Sequence, residues 1–328
     1  MNSWAQNNQP LSGKRVFVTG AAGFIGSQLA RALLACGCRV SVLLRRSSDC
    51  WRLRDILPQL KIHYGDLSSL SFEEARAGLS SSDMIFHLAA AGIDAGKPDA
   101  EAILKTNVLG TLTLLKLARH WNVERFINCG SCSEYGKGHF LAEDAPLAPI
   151  CEYGVSKVSA GVLAKVFQQR YGVPVVSLRP FTAYGPFEAR HRLIPHVILS
   201  ALEGRDIELT AGEQTRDFVF VEDVVEAFLK AAAVPGIAGE TFNVATGRAT
   251  PVREAVVAIL SLMQTPAKPL FGATPYRESE LWESSGDPRK AEARLNWKAG
   301  VSLTEGLRKT IRWFQENRDR AGATAYAG

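Results

Sequence analysis

The stretch Tyr153-Gly154-Val155-Ser156-Lys157 places a phenol and an amine four residues apart. On a helix, residues at that spacing share a face. A phenol titrates near pH 10, too high to shuttle protons well at neutral pH, and a neighbouring ammonium favours the phenolate and lowers it. The pair therefore reads as proton-transfer chemistry. A second stretch, Cys129-Gly130-Ser131-Cys132-Ser133-Glu134-Tyr135-Gly136, contains the C-x-x-C spacing of a dithiol with a serine inside it. A reactive thiol wants the N-terminus of a helix, and Gly136 and Gly138 soon interrupt one, which disfavours redox chemistry. Whether the serine or the thiols act stays open at this level.

A third stretch runs Thr19-Gly20-Ala21-Ala22-Gly23-Phe24-Ile25-Gly26, directly after an apolar run. Glycines spaced G-x-x-G-x-x-G between a strand and a helix let backbone N–H groups approach a pyrophosphate. A bound dinucleotide is expected here. After the second apolar run comes Arg45-Arg46-Ser47-Ser48, with no acid before Asp49. An acid there would hold an adenine ribose, whereas a guanidinium presents paired donors to a phosphate. Arg45, Arg46 and Ser47 thus favour a 2′-phosphate, hence NADP(H), with NAD possible as the alternative. No cluster of cysteines and histidines has zinc spacing, and no metal is expected.

These residues need a scaffold that brings them to one edge. Apolar runs at 15–19, 39–44, 61–64, 83–88, 125–128 and 175–179 alternate with helical patterns. Continuous apolar strands separated by helices indicate a parallel sheet covered on both faces. The predicted fold class is α/β, a doubly wound (Rossmann) sheet with a smaller α/β substrate domain. The first domain spans 13–180 with 215–248 returning to it. The second takes 181–214 and 249–320, and 1–12 and 321–328 are flexible ends. The 328 residues suffice for two such domains. Lys and Arg exceed Asp and Glu by 38 to 33, but the basic residues are dispersed, which argues against a nucleic-acid face. No apolar stretch reaches membrane-spanning length, and the polar N-terminus is not a secretory signal. A cytoplasmic protein with reduced thiols is expected.

On these motifs the chain resembles the extended short-chain dehydrogenase/reductase family, the NAD(P)-dependent nucleotide-sugar epimerase, dehydratase and ketoreductase group. The resemblance runs from about Lys14 to Phe314. His87-Leu88-Ala89-Ala90 is similar to the family's turn against the cofactor, and Gly65-Asp66-Leu67 to its adenine-contacting acid. Asn107-Val108-Leu109-Gly110-Thr111 matches its central helix, and Arg216-Asp217-Phe218-Val219-Phe220-Val221-Glu222-Asp223-Val224 its R-D-F-x-x-V-x-D-V segment. Arg179-Pro180-Phe181-Thr182-Ala183-Tyr184-Gly185-Pro186 resembles R-x-F-N-V-Y-G-P, with Thr182 where Asn is usual. The resemblance implies cofactor contacts from Asp66, Leu67, Leu88, Ala89, Ala90, Asn107 and Pro180. It assigns Ser131 to the substrate oxygen, Tyr153 to the proton and Lys157 to the nicotinamide ribose. It gives the substrate Cys132, Ser133, Thr182, Arg216 and Arg277, the two arginines on a diphosphate.

Family members that eliminate water from the sugar carry an acidic pair at positions 132 and 133. Neither Cys132 nor Ser133 is a carboxyl, which speaks against a 4,6-dehydratase. The favoured expectation is NADPH-dependent reduction of a nucleotide-linked 4-keto-6-deoxy sugar. NADPH is usually a consumed reductant, and CGSCSEYG is also similar to the matching stretch of CDP-abequose-type 4-ketoreductases. The rival enzyme is a 4-epimerase that recycles its cofactor. The non-enzyme rival is a cofactor-sensing protein of the same fold. A homodimer is expected through a four-helix contact. The segments 100–121 and 157–170 are more apolar than two-layer packing requires, with Val158, Val162, Leu163 and Val166 facing a symmetry mate.

Overall fold

The computed structural model describes residues 9–93, 99–277 and 280–318. The expected flexible ends fall largely outside these residues. Where they do not, the expectation fails: Gln9–Leu11 form a 3₁₀ turn and Leu11 is fully buried. Fifteen strands lie among the described residues: β1 Arg15–Thr19, β2 Arg39–Leu44, β3 Lys61–Tyr64, β4 Met84–His87, β5 Arg125–Cys129, β6 Gly138–Leu141, β7 Val175–Pro180, β8 Thr182–Tyr184, β9 Ile207–Leu209, β10 Thr215–Arg216, β11 Phe218–Phe220, β12 Thr241–Val244, β13 Thr250–Pro251, β14 Pro269–Phe271 and β15 Ser284–Gly286. The helices are α1 Phe24–Ala35, α2 Phe72–Gly78, α3 Ala100–Leu104, α4 Gly110–Trp121, α5 Glu152–Tyr171, α6 Leu193–Leu202, α7 Val221–Ala233, α8 Val252–Met263, α9 Arg289–Leu295 and α10 Leu303–Glu316.

Seven strands form one parallel sheet in the order β12-β7-β5-β4-β1-β2-β3. Its inner strands carry apolar residues toward both faces because both are covered. Val16, Val18, Phe86 and Ile127 point into a core shared with α1 and α7. Phe17, Ile85 and Phe126 point the other way, against α4 and α5. Each fully buried phenylalanine contributes roughly 1.5–3 kcal/mol of transfer free energy. Strand order reverses between β1 and β4, and in open α/β sheets that crevice receives ligands.

A separate core gathers α6, α8 and α10 around Tyr184, Phe218 and Phe220. Short parallel pairs link this region to the first. β8 pairs with β11, and β6 pairs with β15 although some 140 residues separate them. The segment 100–121 is helical throughout, as expected, but not α throughout: Lys105–Leu109 is a π turn between α3 and α4. No helix among the described residues is long and apolar enough to cross a membrane.

Candidate active site

The sheet delivers β1, β4, β5 and β7 to one edge, where the loops that follow them meet. The glycine turn follows β1. Gly20 has φ +74°, and a Cβ there would press to 2.6 Å from the Ala89 nitrogen and the Leu88 carbonyl carbon. A Cβ on Gly26 would overlap the Gly20 carbonyl oxygen. The turn is therefore pinned between α1 and the Leu88-Ala89-Ala90 segment by residues that can have no side chain. Helix α1 starts at Phe24 with Gly23 as its cap, no side-chain cap and no acid in its first turn. The orphan N–H groups of Phe24 and Ile25 and the positive helix end fit an anionic diphosphate.

At the end of β2, Arg45, Arg46 and Ser47 are all exposed. Arg46 lies 5.2 Å over the Tyr64 ring. Asp49 is not a ribose ligand at the strand end, since its carboxylate accepts the Trp51 N–H at 3.0 Å. Asp66 sits beside this edge. Burial would raise its carboxyl, but the Ser68 N–H and hydroxyl and the Arg45 charge hold it below the ordinary range. Leu67 is buried beneath it, and Pro180 closes β7. These residues fit a nicotinamide dinucleotide laid across the crevice.

The three candidate catalytic residues come together. The Ser131 hydroxyl lies near enough to the Tyr153 phenol to favour its ionised form. Lys157 is buried, donates from Nζ to the Cys129 carbonyl at 2.9 Å, and stands 5.7 Å from the Tyr153 ring centroid. On balance the phenol is not depressed in this structure. Burial pushes Tyr153 well above its ordinary value, with Cys129, Cys132 and Glu134 adding to the rise. Burial also pushes the Lys157 ammonium down.

Burial pushes both thiols of the C-x-x-C stretch up, away from the thiolate a redox pair needs. Among the described residues no cysteine is in a disulfide. Cys132 lies close to Ser284 and Arg216.

Glu134, given no role from the sequence, organises the turn. Ser131 and Glu134 form a capping box: the Ser133 N–H donates to Ser131 Oγ at 3.1 Å and the Ser131 N–H to Glu134 Oε1 at 2.8 Å. The S-x-x-E spacing is the signal that could have shown it. Arg179 Nε donates to Glu134 Oε2 at 2.7 Å, and its Nη1 to the Tyr135 hydroxyl at 2.7 Å. Tyr135 in turn donates to Asn243 Oδ1 at 2.8 Å. Burial pushes Glu134 up against the pull of Arg179, while Glu134 and Tyr135 overcome burial to keep Arg179 charged.

Asn107, expected at the cofactor, braces two elements in this structure. Its amide exchanges hydrogen bonds with Ala91, at 2.7 Å as acceptor and 3.0 Å as donor, and donates to Ser156 Oγ at 2.9 Å. Thr182 is half-buried in β8, its N–H given to the Asp217 carbonyl at 2.9 Å. Arg216 is half-buried and paired with Glu280 at 2.5 Å, with further donation to Thr215 and Leu281 carbonyls. Its fork already meets a carboxylate, so a diphosphate would share or displace Glu280. Arg277 is exposed three residues away from that glutamate. Among the described residues no group of three metal-ligating side chains could hold an ion.

A parallel sheet with its glycine turn at the switch point, and a Ser–Tyr–Lys cluster one loop away, defines a nicotinamide-linked enzyme of the extended short-chain dehydrogenase/reductase kind. The model of the NAD dependent epimerase/dehydratase family matches residues 16–245, and the chain belongs to that family. It is 33% identical to a UDP-glucose 4-epimerase of Mycolicibacterium smegmatis, over 92% of this chain and 98% of that one. It is 30% identical to a dTDP-glucose 4,6-dehydratase of Neisseria gonorrhoeae, over 94% of this chain and 97% of that one. Among solved structures it is similar to a UDP-glucuronic acid 4-epimerase of Bacillus cereus, in complex with UDP-glucuronic acid and NAD. There the TM-score is 0.82 and the identity 25%, over 92% of this chain and 99% of that one.

Proposed function

We propose that this chain oxidises C4 of a nucleotide-diphosphate sugar to a ketone and re-reduces it from the other face, as a 4-epimerase that returns its cofactor unchanged. The observation that carries the reading is the grouping of Tyr153 and Lys157 at the end of β5 beside the Ser131 turn, with a thiol and a hydroxyl instead of carboxyls at 132 and 133. A bound nicotinamide supplies hydride acceptance and return. The Ser131 hydroxyl orients the C4 oxygen. Tyr153 takes the C4 hydroxyl proton on oxidation and gives it back on reduction. Lys157, fixed by the Cys129 carbonyl, keeps a positive charge near the phenolate. Eliminating water would require a further acid and base; Cys132 and Ser133 are not carboxyls, and the carboxyl of Glu134 is taken up by the Ser131 N–H and Arg179. Similarity to two 4-epimerases supports the order of preference.

A second reading rests on Arg45, Arg46 and Ser47. Three exposed donors without an acid suit the 2′-phosphate of NADPH, which would make the same residues a 4-ketoreductase on a 4-keto sugar. A panel of 4-hydroxy and 4-keto nucleotide sugars separates the two. An epimerase interconverts 4-hydroxy isomers, seen by NMR, without net loss of reduced-nicotinamide absorbance. A reductase consumes NADPH in proportion to keto sugar. Turnover of neither class overturns both readings. The chain is also proposed to dimerise through α4 and α5. Val155 and Val162 are 45% and 54% exposed on α5, and a monomeric mass at micromolar concentration would contradict it.

A further inference from the structure

A hydrogen-bond chain runs from the cofactor turn to the catalytic helix, and its direction can be worked out from the supply of protons. Thr111 Oγ1 lies 2.6 Å from the Asn107 carbonyl, to which it donates, and 2.8 Å from His87 Nε2. A hydroxyl has one proton. Toward His87, Thr111 can therefore only accept, and Nε2 carries the hydrogen. Thr19 Oγ1 lies 2.8 Å from His87 Nδ1 and accepts the Ala89 N–H at 3.3 Å. Its own proton is then given to Nδ1. Burial, with Lys157 nearby, pushes His87 down to about 3, so the ring is neutral and this is the one tautomer that satisfies both neighbours.

Beyond Thr111 the chain continues. The Asn107 amide donates to Ser156 Oγ at 2.9 Å, and Ser156 donates to the Tyr153 carbonyl at 2.7 Å. Asn107 and its bonded carbonyl lie in the π turn Lys105–Leu109. A threonine donating to the carbonyl four residues back is one of the devices that bend or loosen a helix at that point. We propose that His87 is a positioning residue for proton transfer at Tyr153. Held between Thr19 and Thr111, it fixes the π turn that aims Asn107, and Asn107 fixes α5 at Ser156, within one turn of Tyr153. His87 touches neither substrate nor cofactor in this role, and the inference rests on the reading of Tyr153 as the proton-transfer group.

Two substitutions test it. His87→Gln keeps a neutral group with one donor and one acceptor; His87→Leu keeps bulk and removes both. The first readout is the phenol titration of Tyr153, taken as the ultraviolet difference from the matching Tyr153→Phe protein with NAD added. Lys157 on α5, Cys129 at the end of β5, and Cys132 and Glu134 in the next turn face this phenol and are the same in every variant. The second readout is kcat and KM for 4-epimer interconversion. In His87→Leu the phenol should titrate higher and kcat fall about 10- to 100-fold, with KM changed less than about 3-fold, as a misaimed group rather than a lost binding contact requires. His87→Gln should recover most of both. If His87→Leu fails to fold, Thr111→Val against Thr111→Ser asks the same question one link further on. Equal loss in both members of a pair, with the Tyr153 titration unmoved, would overturn the proposal. If the parent protein turns over no nucleotide sugar, the functional reading falls, while the titration still decides the role of His87.

Discussion

Glu134 meets two donors with two oxygens: Oε1 takes the Ser131 N–H at 2.8 Å and Oε2 takes Arg179 Nε at 2.7 Å. Glu134→Gln therefore has no good orientation. Whichever way the amide turns, its NH₂ faces an N–H. The glutamate and arginine side chains are 3% and 9% exposed, so water does not relieve the conflict. Removing one partner of a buried ion pair costs about 3–5 kcal/mol. At roughly 2–3 °C per kcal/mol for a chain of this size, Tm should fall by about 6–15 °C. Differential scanning fluorimetry measures this directly. Glu134→Gln with Arg179→Met removes both charges, and the double variant should regain part of the loss. A double-mutant cycle with coupling under about 0.5 kcal/mol, or a single variant as stable as the parent, would refute the reasoning.

Three further outcomes are expected. Ser131→Ala should lose about 10²–10³ in kcat, the usual cost of one donor to a developing oxyanion, while Cys129→Ala and Cys132→Ala keep most activity in the same assay. The parent should bind NADPH more tightly than NADH, and Arg45→Asp should erase or reverse the preference in fluorescence titrations; equal parent affinities would contradict the role of the arginines. Glu188 is buried with Oε2 unpartnered, and burial pushes its carboxyl from 4.5 up to about 8. A carboxyl raised on folding costs nothing below its unfolded value and progressively destabilises as pH rises from about 4.5 through 8. The gap of about 3.5 units caps this at about 5 kcal/mol, so Glu188→Gln should raise Tm relative to the parent at pH 9 and not at pH 4; a pH-independent difference would argue against it.

The sheet was legible because a parallel strand buried on both faces must be apolar at every position. The runs at 15–19 and 39–44 match β1 and β2 residue for residue. The glycine turn, Tyr153 and Lys157 were equally visible, since local spacing alone places them. The π turn was not: apolar periodicity cannot show one extra residue in a turn, and its cause, Thr111 beneath His87, is a tertiary contact. Arg179 lies 45 residues from Glu134 on another element, beyond any local pattern. The phenol of Tyr153 was misjudged for the same reason. Lys157 can be read from the sequence, but the burial that outweighs it cannot. Strands of two to four residues, such as β10, β13 and β15, are too short for alternation to register.

The pairing of β6 with β15 bears on how the molecule is made. β6 emerges early, directly after the turn that holds Ser131, yet its partner is Ser284–Gly286. Gly286 also donates its N–H to Asp217 at 3.2 Å. During synthesis the dinucleotide crevice can assemble from the first half of the chain, whereas the wall beside Cys132 waits for the last sixth. Contacts of such long sequence separation form late and slowly. A nascent or truncated chain ending before residue 284 would have the glycine turn and Tyr153 in place while exposing β6 as an unpaired edge, the state most open to chaperones and to aggregation.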